Sequence, residues 1–297
     1  SLPIPVSCKS RNGRGADMKK WMLIIDVEKC ESCNNCFLSC KDEHVGNDWP
    51  GYAAPQPDQG PTWIAIGSKE RGQYPLIDVA YLPTPCMHCE DAPCLRAARD
   101  GAIYRRPDGI VLIDPVKAKG QKHLANACPY GSIRWNESFE LPQKCTLCAH
   151  LLDGGWTQTR CVQSCPTGAL SLRQIEDARR QEIIDAEKLE VYKPEWKTHP
   201  RVYYKNLYRF RRCFIGGSVA VQLDGVEDCA VGAQVTLLDA AGAAIGERTT
   251  DDFGEFKFDN LENNSGRYAL RIAYADRGVK TVEVDLQESL NAGVIFV

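Results

Sequence analysis

The spacing of its cysteines constrains this chain more than any other feature of the sequence. The 297 residues include 15 cysteines, and all but Cys213 and Cys229 lie at or before Cys165. Such a density is rare in a reducing compartment unless the thiols bind metal, and disulfide scaffolds usually occur in much shorter secreted chains. We therefore expect the part of the chain up to Cys165 to bind metal.

The first group of cysteines has a spacing that indicates iron–sulfur clusters. Cys30, Cys33, Cys36 and Cys40 follow one another as C-x2-C-x2-C-x3-C. In this bacterial ferredoxin pattern, three thiolates hold one [4Fe–4S] cluster and the fourth binds a second cluster. Tetrahedral zinc uses two pairs of ligands and explains the third cysteine poorly. A zinc-binding structural or interaction protein is the alternative from a different class.

The remaining cysteines are spaced less regularly. They are Cys86-x2-Cys89-x4-Cys94, then Cys128 alone, then Cys145-x2-Cys148-x12-Cys161-x3-Cys165. Residues 25–30 recur in similar form as residues 113–118, and Cys40 and Cys128 lie at the same offset from these two segments, because 40 − 30 equals 128 − 118. Residues 113–128 are therefore predicted to be a ferredoxin motif that has lost its first three ligands.

The lost ligands indicate that one whole cluster has been deleted. Ala118, Gln121 and Leu124 occupy the three vacated places, and Ala98 stands where the run from Cys94 would have its next ligand. If fourth ligands cross between paired motifs, these four positions belong to one cluster. The other cysteines then form three [4Fe–4S] sites, named A, B and C here: Cys30, Cys33, Cys36 and Cys165 for site A; Cys40, Cys145, Cys148 and Cys161 for site B; and Cys86, Cys89, Cys94 and Cys128 for site C.

Other candidate residues carry weaker signals. Cys8, Cys213 and Cys229 lack ligand-spaced neighbours and are expected to be ordinary thiols. His88 and His150 stand beside predicted ligands, and they either form hydrogen bonds near a cluster or are ordinary imidazoles with no such role. The sequence has no dinucleotide-binding, P-loop or nucleophile-elbow motif. We therefore expect no catalytic residue on this chain and assign the chemistry to a partner.

Charge and hydropathy exclude two kinds of partner. Lys and Arg number 36 against 39 Asp and Glu, so the basic excess typical of nucleic-acid binding is missing. No apolar run approaches the roughly 20 residues of a membrane-spanning helix. We expect a cytoplasmic protein that binds no nucleic acid and has no direct membrane anchor.

The patterns along the chain predict an α+β fold in four parts. Residues 1–17 are expected to be an irregular leader, with Met18 as an alternative start, and residues 18–173 a bacterial-ferredoxin-like repeated cluster-binding domain. Residues 174–212 are predicted to form a surface helix, from Gln174 to about Val191, and an aromatic and basic connector. Residues 213–297 show period-two alternation around 219–223, 235–237, 256–258, 270–274 and 282–286, which predicts a small all-β sandwich or barrel.

Longer stretches of the sequence resemble a known family. They include Asp26 to Cys30, Trp49 to Tyr52, Pro83 to Glu90, Cys128 to Gly131, Gln143 to Asp153, Pro200 to Phe210 and Phe253 to Asp259. In these stretches the chain resembles the iron–sulfur (beta) subunits of the dimethyl-sulfoxide-reductase class of molybdopterin enzymes. Within that class it is similar to the small subunits of pyrogallol hydroxytransferases, also called transhydroxylases.

The resemblance implies an electron-transfer role in anaerobic aromatic metabolism. It implies a heterodimer or higher oligomer with a catalytic alpha subunit that carries molybdenum bis-molybdopterin guanine dinucleotide. That partner would convert pyrogallol to phloroglucinol without net redox change. The resemblance also implies a transthyretin-like or immunoglobulin-like C-terminal domain. The alternative partner is a related molybdenum catechol dehydroxylase or resorcinol-type hydroxylase.

Overall fold

The computed structural model describes residues 19–297. The predicted leader and Cys8 lie outside the described residues. The helices are α1 (Asn35–His44), α2 (Pro93–Ala97), α3 (Ala149–Asp153), α4 (Arg160–Gln163), α5 (Arg180–Glu187) and α6 (Tyr208–Arg211). The strands are β1 (Lys19–Asp26), β2 (Ala65–Gln73), β3 (Leu76–Thr84), β4 (Ile103–Arg105), β5 (Val111–Ile113), β6 (Arg134–Asn136), β7 (Leu141–Gln143), β8 (Leu170–Glu176), β9 (Val202–Lys205), β10 (Cys213–Leu223), β11 (Val226–Cys229), β12 (Gln234–Leu238), β13 (Ala244–Thr249), β14 (Glu255–Leu261), β15 (Gly266–Ala273), β16 (Val279–Leu286) and β17 (Leu290–Phe296).

Strand β1 is the centre of the sheet that supports the cysteine-rich region. It pairs antiparallel with β8 and parallel with β9. Because successive side chains of a strand point to opposite faces, Leu23 and Ile25 pack in the core that contains the cysteines, while Met22 and Ile24 pack in a smaller core on the other face. The strand is therefore buried on both faces, and it holds the loop that begins at Cys30 in place.

The helix predicted from Gln174 to about Val191 is shorter in the structure. Strand β8 continues to Glu176, which pairs with Lys19, and α5 covers only 180–187. Ile175 lies in the sheet and faces the smaller core. Its apolar side chain therefore belongs to the buried face of a strand and not to a helix. No helix within residues 19–297 has both the length and the apolar character needed to cross a membrane.

The β2–β3 hairpin connects the cysteine-rich region to the C-terminal strands. Leu76, at its tip, packs against Gly216 so closely that a Cβ at that glycine would clash with it. Arg71 is buried between Asp78 and Asp259, with its Nη1 2.8 Å from Asp259 Oδ1. Burial alone would raise the pKa of Asp78, but hydrogen bonds from Arg71 and Lys257 lower it to about 2. Apolar packing and a partly buried ion cluster therefore hold the two regions together.

Residues 213–296 form two β-sheets, in which most strand pairs are antiparallel, around one apolar core. Strands β11, β14 and β17 pair with β10, and the second sheet has the order β13-β12-β15-β16. The five strands predicted from alternation are present as β10, β12, β14, β15 and β16. Strands β11, β13 and β17 were not predicted, since β11 and β13 are mainly exposed and β17 lacks a clear apolar alternation.

Candidate metal centres

The cysteines predicted for site A lie on two neighbouring segments. Cys30 and Cys33 are in the loop after β1, Cys36 is in the first turn of α1, and Cys165 follows α4. Burial raises the pKa of Cys30, the backbone N–H of Ser32 opposes this by donating to its sulfur, and the nearby Cys165 thiolate adds to the rise. Cys33 is exposed. Site A is the most solvent-accessible of the three groups.

The cysteines predicted for site B line one cavity. Cys40, Cys145, Cys148 and Cys161 border it together with apolar residues such as Trp63. Burial is the main cause of the raised pKa values of these thiols, and their mutual repulsion as thiolates adds to it. The pKa of Cys145 rises to about 12 in this way.

The cysteines predicted for site C come from three segments. Cys86 and Cys89 follow strand β3, Cys94 is in α2, and Cys128 follows a short 3-10 turn. Burial raises the pKa of Cys89 to about 12 and that of Cys94 to about 11, and the neighbouring thiolates of Cys86 and Cys128 add to both values. Thiols from three separate segments therefore affect one another's ionisation.

One backbone feature recurs between the first two cysteines of the runs that begin at Cys30, Cys86 and Cys145. The residue before the second cysteine has a left-handed conformation, with φ of 54° at Ser32, 45° at His88 and 52° at Leu147. The N–H of that residue donates to the sulfur of the first cysteine, at 3.5 Å from His88 and 3.4 Å from Leu147. Hydrogen bonds to sulfur raise the reduction potential of a bound cluster. The left-handed turn is thus a functional feature of the loop.

Side chains that the sequence analysis did not identify also reach the sulfurs. Gln56 Nε2 donates to Cys40 Sγ at 3.6 Å, and the Thr159 hydroxyl lies 3.1 Å from Cys161 Sγ. The Thr198 hydroxyl is hydrogen-bonded to Cys89. Gln56 and Thr198 are far from their cysteines in sequence, so no local pattern could indicate them. Thr159 is only two residues from Cys161, so its hydroxyl could have been predicted from the sequence to lie near that sulfur.

The two histidines singled out in the sequence have other partners. His88 Nδ1 accepts a hydrogen bond from the backbone N–H of Val111 at 3.1 Å. His150 Nε2 lies 3.0 Å from Glu43 Oε1, and its ring stacks on Trp49 with 4.1 Å between centroids. Of these two residues, only His88 reaches a sulfur, and it does so through its main chain.

The donor chemistry of the three groups fits [4Fe–4S] clusters. Each group offers four thiols, and the raised pKa values leave most of them protonated at neutral pH unless a metal displaces the protons. Among residues 19–297, no three Cys, His, Asp or Glu side chains gather as closely as the ligands of a single metal ion. A [4Fe–4S] cluster does not require such a gathering, because its four thiolates bind four different iron atoms.

The vacated positions are also close together in the structure. Ala118 and Leu124 are fully buried. Gln121 Nε2 donates to the carbonyls of Lys117 and Arg99 at 2.9 and 3.3 Å, and its Oε1 accepts from the N–H of Arg99 at 3.2 Å. The segment around Ala98 is therefore hydrogen-bonded to the degenerate loop.

Comparisons with known proteins agree with this chemistry. The family model described as a 4Fe–4S dicluster domain matches residues 77–175. The chain is 46% identical to the pyrogallol hydroxytransferase small subunit of Pelobacter acidigallici over 94% of its own length and 99% of that protein. It is 32% identical to a subunit of the sulfite dehydrogenase of Allochromatium vinosum over 63% of its own length and 83% of that protein. It is 31% identical to a subunit of the anaerobic dimethyl sulfoxide reductase of Escherichia coli over 53% and 75%.

This protein is a member of the family of iron–sulfur subunits that includes the pyrogallol hydroxytransferase small subunit. The resemblance stated from the sequence is confirmed. Its relatives are the electron-transfer subunits of dimethyl-sulfoxide-reductase-family enzymes, so its role is that of a subunit in an enzyme complex, with catalysis on the partner.

Proposed function

We propose that this chain transfers electrons in a cytoplasmic complex with a subunit that carries molybdenum bis-molybdopterin guanine dinucleotide, forming a heterodimer or a higher oligomer. The partner converts pyrogallol to phloroglucinol with a tetrahydroxybenzene as co-substrate and no net redox change. The observation that carries this proposal is the 46% identity to the pyrogallol hydroxytransferase small subunit, which extends over 99% of that protein.

We also propose that the chain holds three [4Fe–4S] clusters, with four cysteines at each of sites A, B and C as assigned from the sequence. The shared cavity supports this assignment for site B. For sites A and C, the mutual effects of the cysteines on one another's pKa values support it. Cys213 is buried in the C-terminal core and Cys229 is exposed, and neither is assigned as a cluster ligand.

The three sites form a path in the order A, B, C. The thiolate of Cys161 at site B acts on Cys36 at site A, and the thiolate of Cys86 at site C acts on Cys145 at site B. When bound, [4Fe–4S] clusters carry single electrons. The residues of this chain hold the clusters through thiolates, direct backbone N–H groups at the sulfurs and exclude water from site B with apolar side chains. The vacated fourth site means that the path does not continue beyond site C toward a membrane quinone pool.

The C-terminal part, residues 213–297, is proposed to be a separate domain of the transthyretin-like or immunoglobulin-like sandwich type. The two sheets around one core support this. The cluster-binding domain would occupy residues 18–173, joined by residues 174–212.

A second candidate partner acts with net redox change, as a catechol dehydroxylase or resorcinol-type hydroxylase does. Relatives at 28 to 34% identity include several named as reductases or dehydrogenases. The alignments with these relatives cover at most 65% of this chain, whereas the alignment with the pyrogallol hydroxytransferase small subunit covers 94%. The longer match favours the transhydroxylase partner. The discriminating quantity is electron balance, because transhydroxylation needs no stoichiometric external donor or acceptor.

The test is metal and activity analysis of the native complex purified without oxygen. We expect about 12 Fe per chain, at four per cluster, molybdenum in the partner, and pyrogallol conversion without an external reductant. A Cys148→Ser variant should lose about four Fe, while the matched control Cys213→Ser should lose none. A complex without molybdenum would exclude the proposed partner, and dominant zinc would exclude the clusters. A requirement for a stoichiometric donor would favour the second candidate.

A further inference from the structure

Lys144 is a buried base without a carboxylate partner. It is 3% exposed, and its Nζ donates to the backbone carbonyls of Val111 and, at 3.1 Å, Cys145. Within residues 19–297, no Asp or Glu oxygen lies within ion-pairing distance of this nitrogen. Carbonyl dipoles solvate an ammonium group but do not neutralise its charge, and an uncompensated buried charge is strongly unfavourable.

The two buried arginine side chains of the described residues are compensated differently. Arg71 and Arg201 are 3% and 2% exposed, and each pairs with two carboxylates. The fold therefore supplies negative side chains where it buries a guanidinium. The negative charge that compensates Lys144 must have another source.

Two cysteine groups flank this lysine. It directly precedes Cys145 of site B, and Val111, whose carbonyl it binds, donates its N–H to the ring of His88, which lies between Cys86 and Cys89 of site C. The main-chain N–H of His88 in turn donates to Cys86 Sγ. In agreement with this arrangement, burial raises the pKa of Cys145 and of Cys94, and the positive charge of Lys144 opposes the rise at each. A thiolate-ligated site with four cysteines brings net negative charge, which is the compensation that the protein side chains do not provide.

We propose that Lys144 is the shared counter-charge of sites B and C and that it raises the reduction potential of the clusters bound at both sites. This rests on the cysteine assignment proposed above. Reduction adds one electron to a cluster, and a fixed positive charge nearby stabilises the reduced state more than the oxidised state. No contact connects Lys144 with the cysteines of site A in the described residues, so the cluster there should be little affected.

The experiment is an EPR-monitored redox titration of the oxygen-free native complex carrying Lys144→Gln, which keeps a hydrogen-bond donor for the carbonyls but removes the charge. We expect the iron content to stay unchanged and two of the three clusters to become at least tenfold harder to reduce. For a one-electron couple, each factor of ten lowers the reduction potential by about 59 mV. Lys144→Arg keeps the charge and should leave the potentials near those of the unmodified protein. Lys122→Met removes an exposed lysine that pairs with Glu137 and is the matched control.

Several outcomes would overturn the proposal. With full iron, it is wrong if Lys144→Gln leaves all three potentials in place, if it shifts all three equally, or if Lys144→Arg shifts them as far as Lys144→Gln. If Lys144→Gln loses iron, Lys144→Met is titrated in its place, and loss of iron from both neutral variants but not from Lys144→Arg would show that the charge is needed to form the sites. Iron well below three clusters in the unmodified complex would instead overturn the proposed cluster assignment.

Discussion

The intact ferredoxin motif at residues 25–40 and its degenerate copy at residues 113–128 differ in their secondary structure. In the intact motif, β1 is followed by the cysteine loop and the ten-residue helix α1. In the copy, the three-residue strand β5 is followed by a loop and a 3-10 turn from Lys122 to Asn126. The copy has lost three cysteines and most of a helix, but it still ends in a ligand-type residue, Cys128.

The two motifs share one left-handed backbone position although they do not share their ligands. Ser32, one of the two left-handed residues of the intact loop, corresponds to Gly120 in the copy, with φ of 77°. The other, Asn34, corresponds to Lys122, which begins the 3-10 turn. Glycine adopts this conformation without the steric cost that other residues incur. The N–H of Gly120 has no sulfur to bind and donates instead to the carbonyl of Glu140 at 2.9 Å. The loop conformation therefore does not depend on a cluster.

Different interactions hold the copy together. Gln121 stands in a ligand position and forms three hydrogen bonds with backbone groups of Lys117 and Arg99. Ala118 and Leu124 fill the interior with apolar atoms. A side-chain amide and buried methyl groups thus replace the covalent connections that thiolates and iron provide at an intact site.

The largest effect should come from restoring the lost ligands. A protein with Ala98→Cys, Ala118→Cys, Gln121→Cys and Leu124→Cys should bind one more cluster, about four additional Fe per chain, because the loop already has the left-handed turn. Iron analysis and EPR after oxygen-free reconstitution measure this. The control carries only Ala98→Cys and should gain no iron. Four new thiols without additional iron would show that the copy has lost the binding geometry as well as the ligands.

A smaller effect should follow from Gln121→Ala. The variant loses three partly exposed hydrogen bonds, which destabilises the loop by about 2 kcal/mol. Amide hydrogen exchange in residues 113–128 should then be roughly thirtyfold faster, while exchange in residues 25–40 should not change. Lys119→Ala, at an exposed position of the same loop, is the control. Equal protection in Gln121→Ala and the unmodified protein would mean that the amide contributes nothing.

The smallest effect should come from Gly120→Ala. No atom lies within 4 Å of the place that a Cβ would occupy, so the cost is only that of the left-handed backbone, about 1 kcal/mol. We expect exchange in residues 113–128 to increase roughly fivefold. The reverse change in the intact loop, Ser32→Gly, should leave iron binding unaltered. A much larger loss in Gly120→Ala would contradict the view that conformation alone selects glycine there.

Much of the candidate site could be predicted from sequence because ligand spacing is a local property of the polypeptide. The internal repeat identified Ala98, Ala118 and Gln121 as vacated positions. The alternation of apolar residues predicted five C-terminal strands but missed β11 and β13, whose side chains are nearly all exposed, and β17, which lacks a clear alternation. The helix at 174–191 was predicted too long, since the pairing of β8 with β1 extends the strand to Glu176.

The sequence by itself determined the family, and it predicted the ligand type and the grouping of the cysteines, because these depend on residue identity and spacing. Only the tertiary structure decided what surrounds each sulfur. Gln56 reaches Cys40, and Lys144 is buried near Cys94 without a carboxylate. Such contacts join residues from distant segments, and their effect depends on burial, which no local pattern specifies.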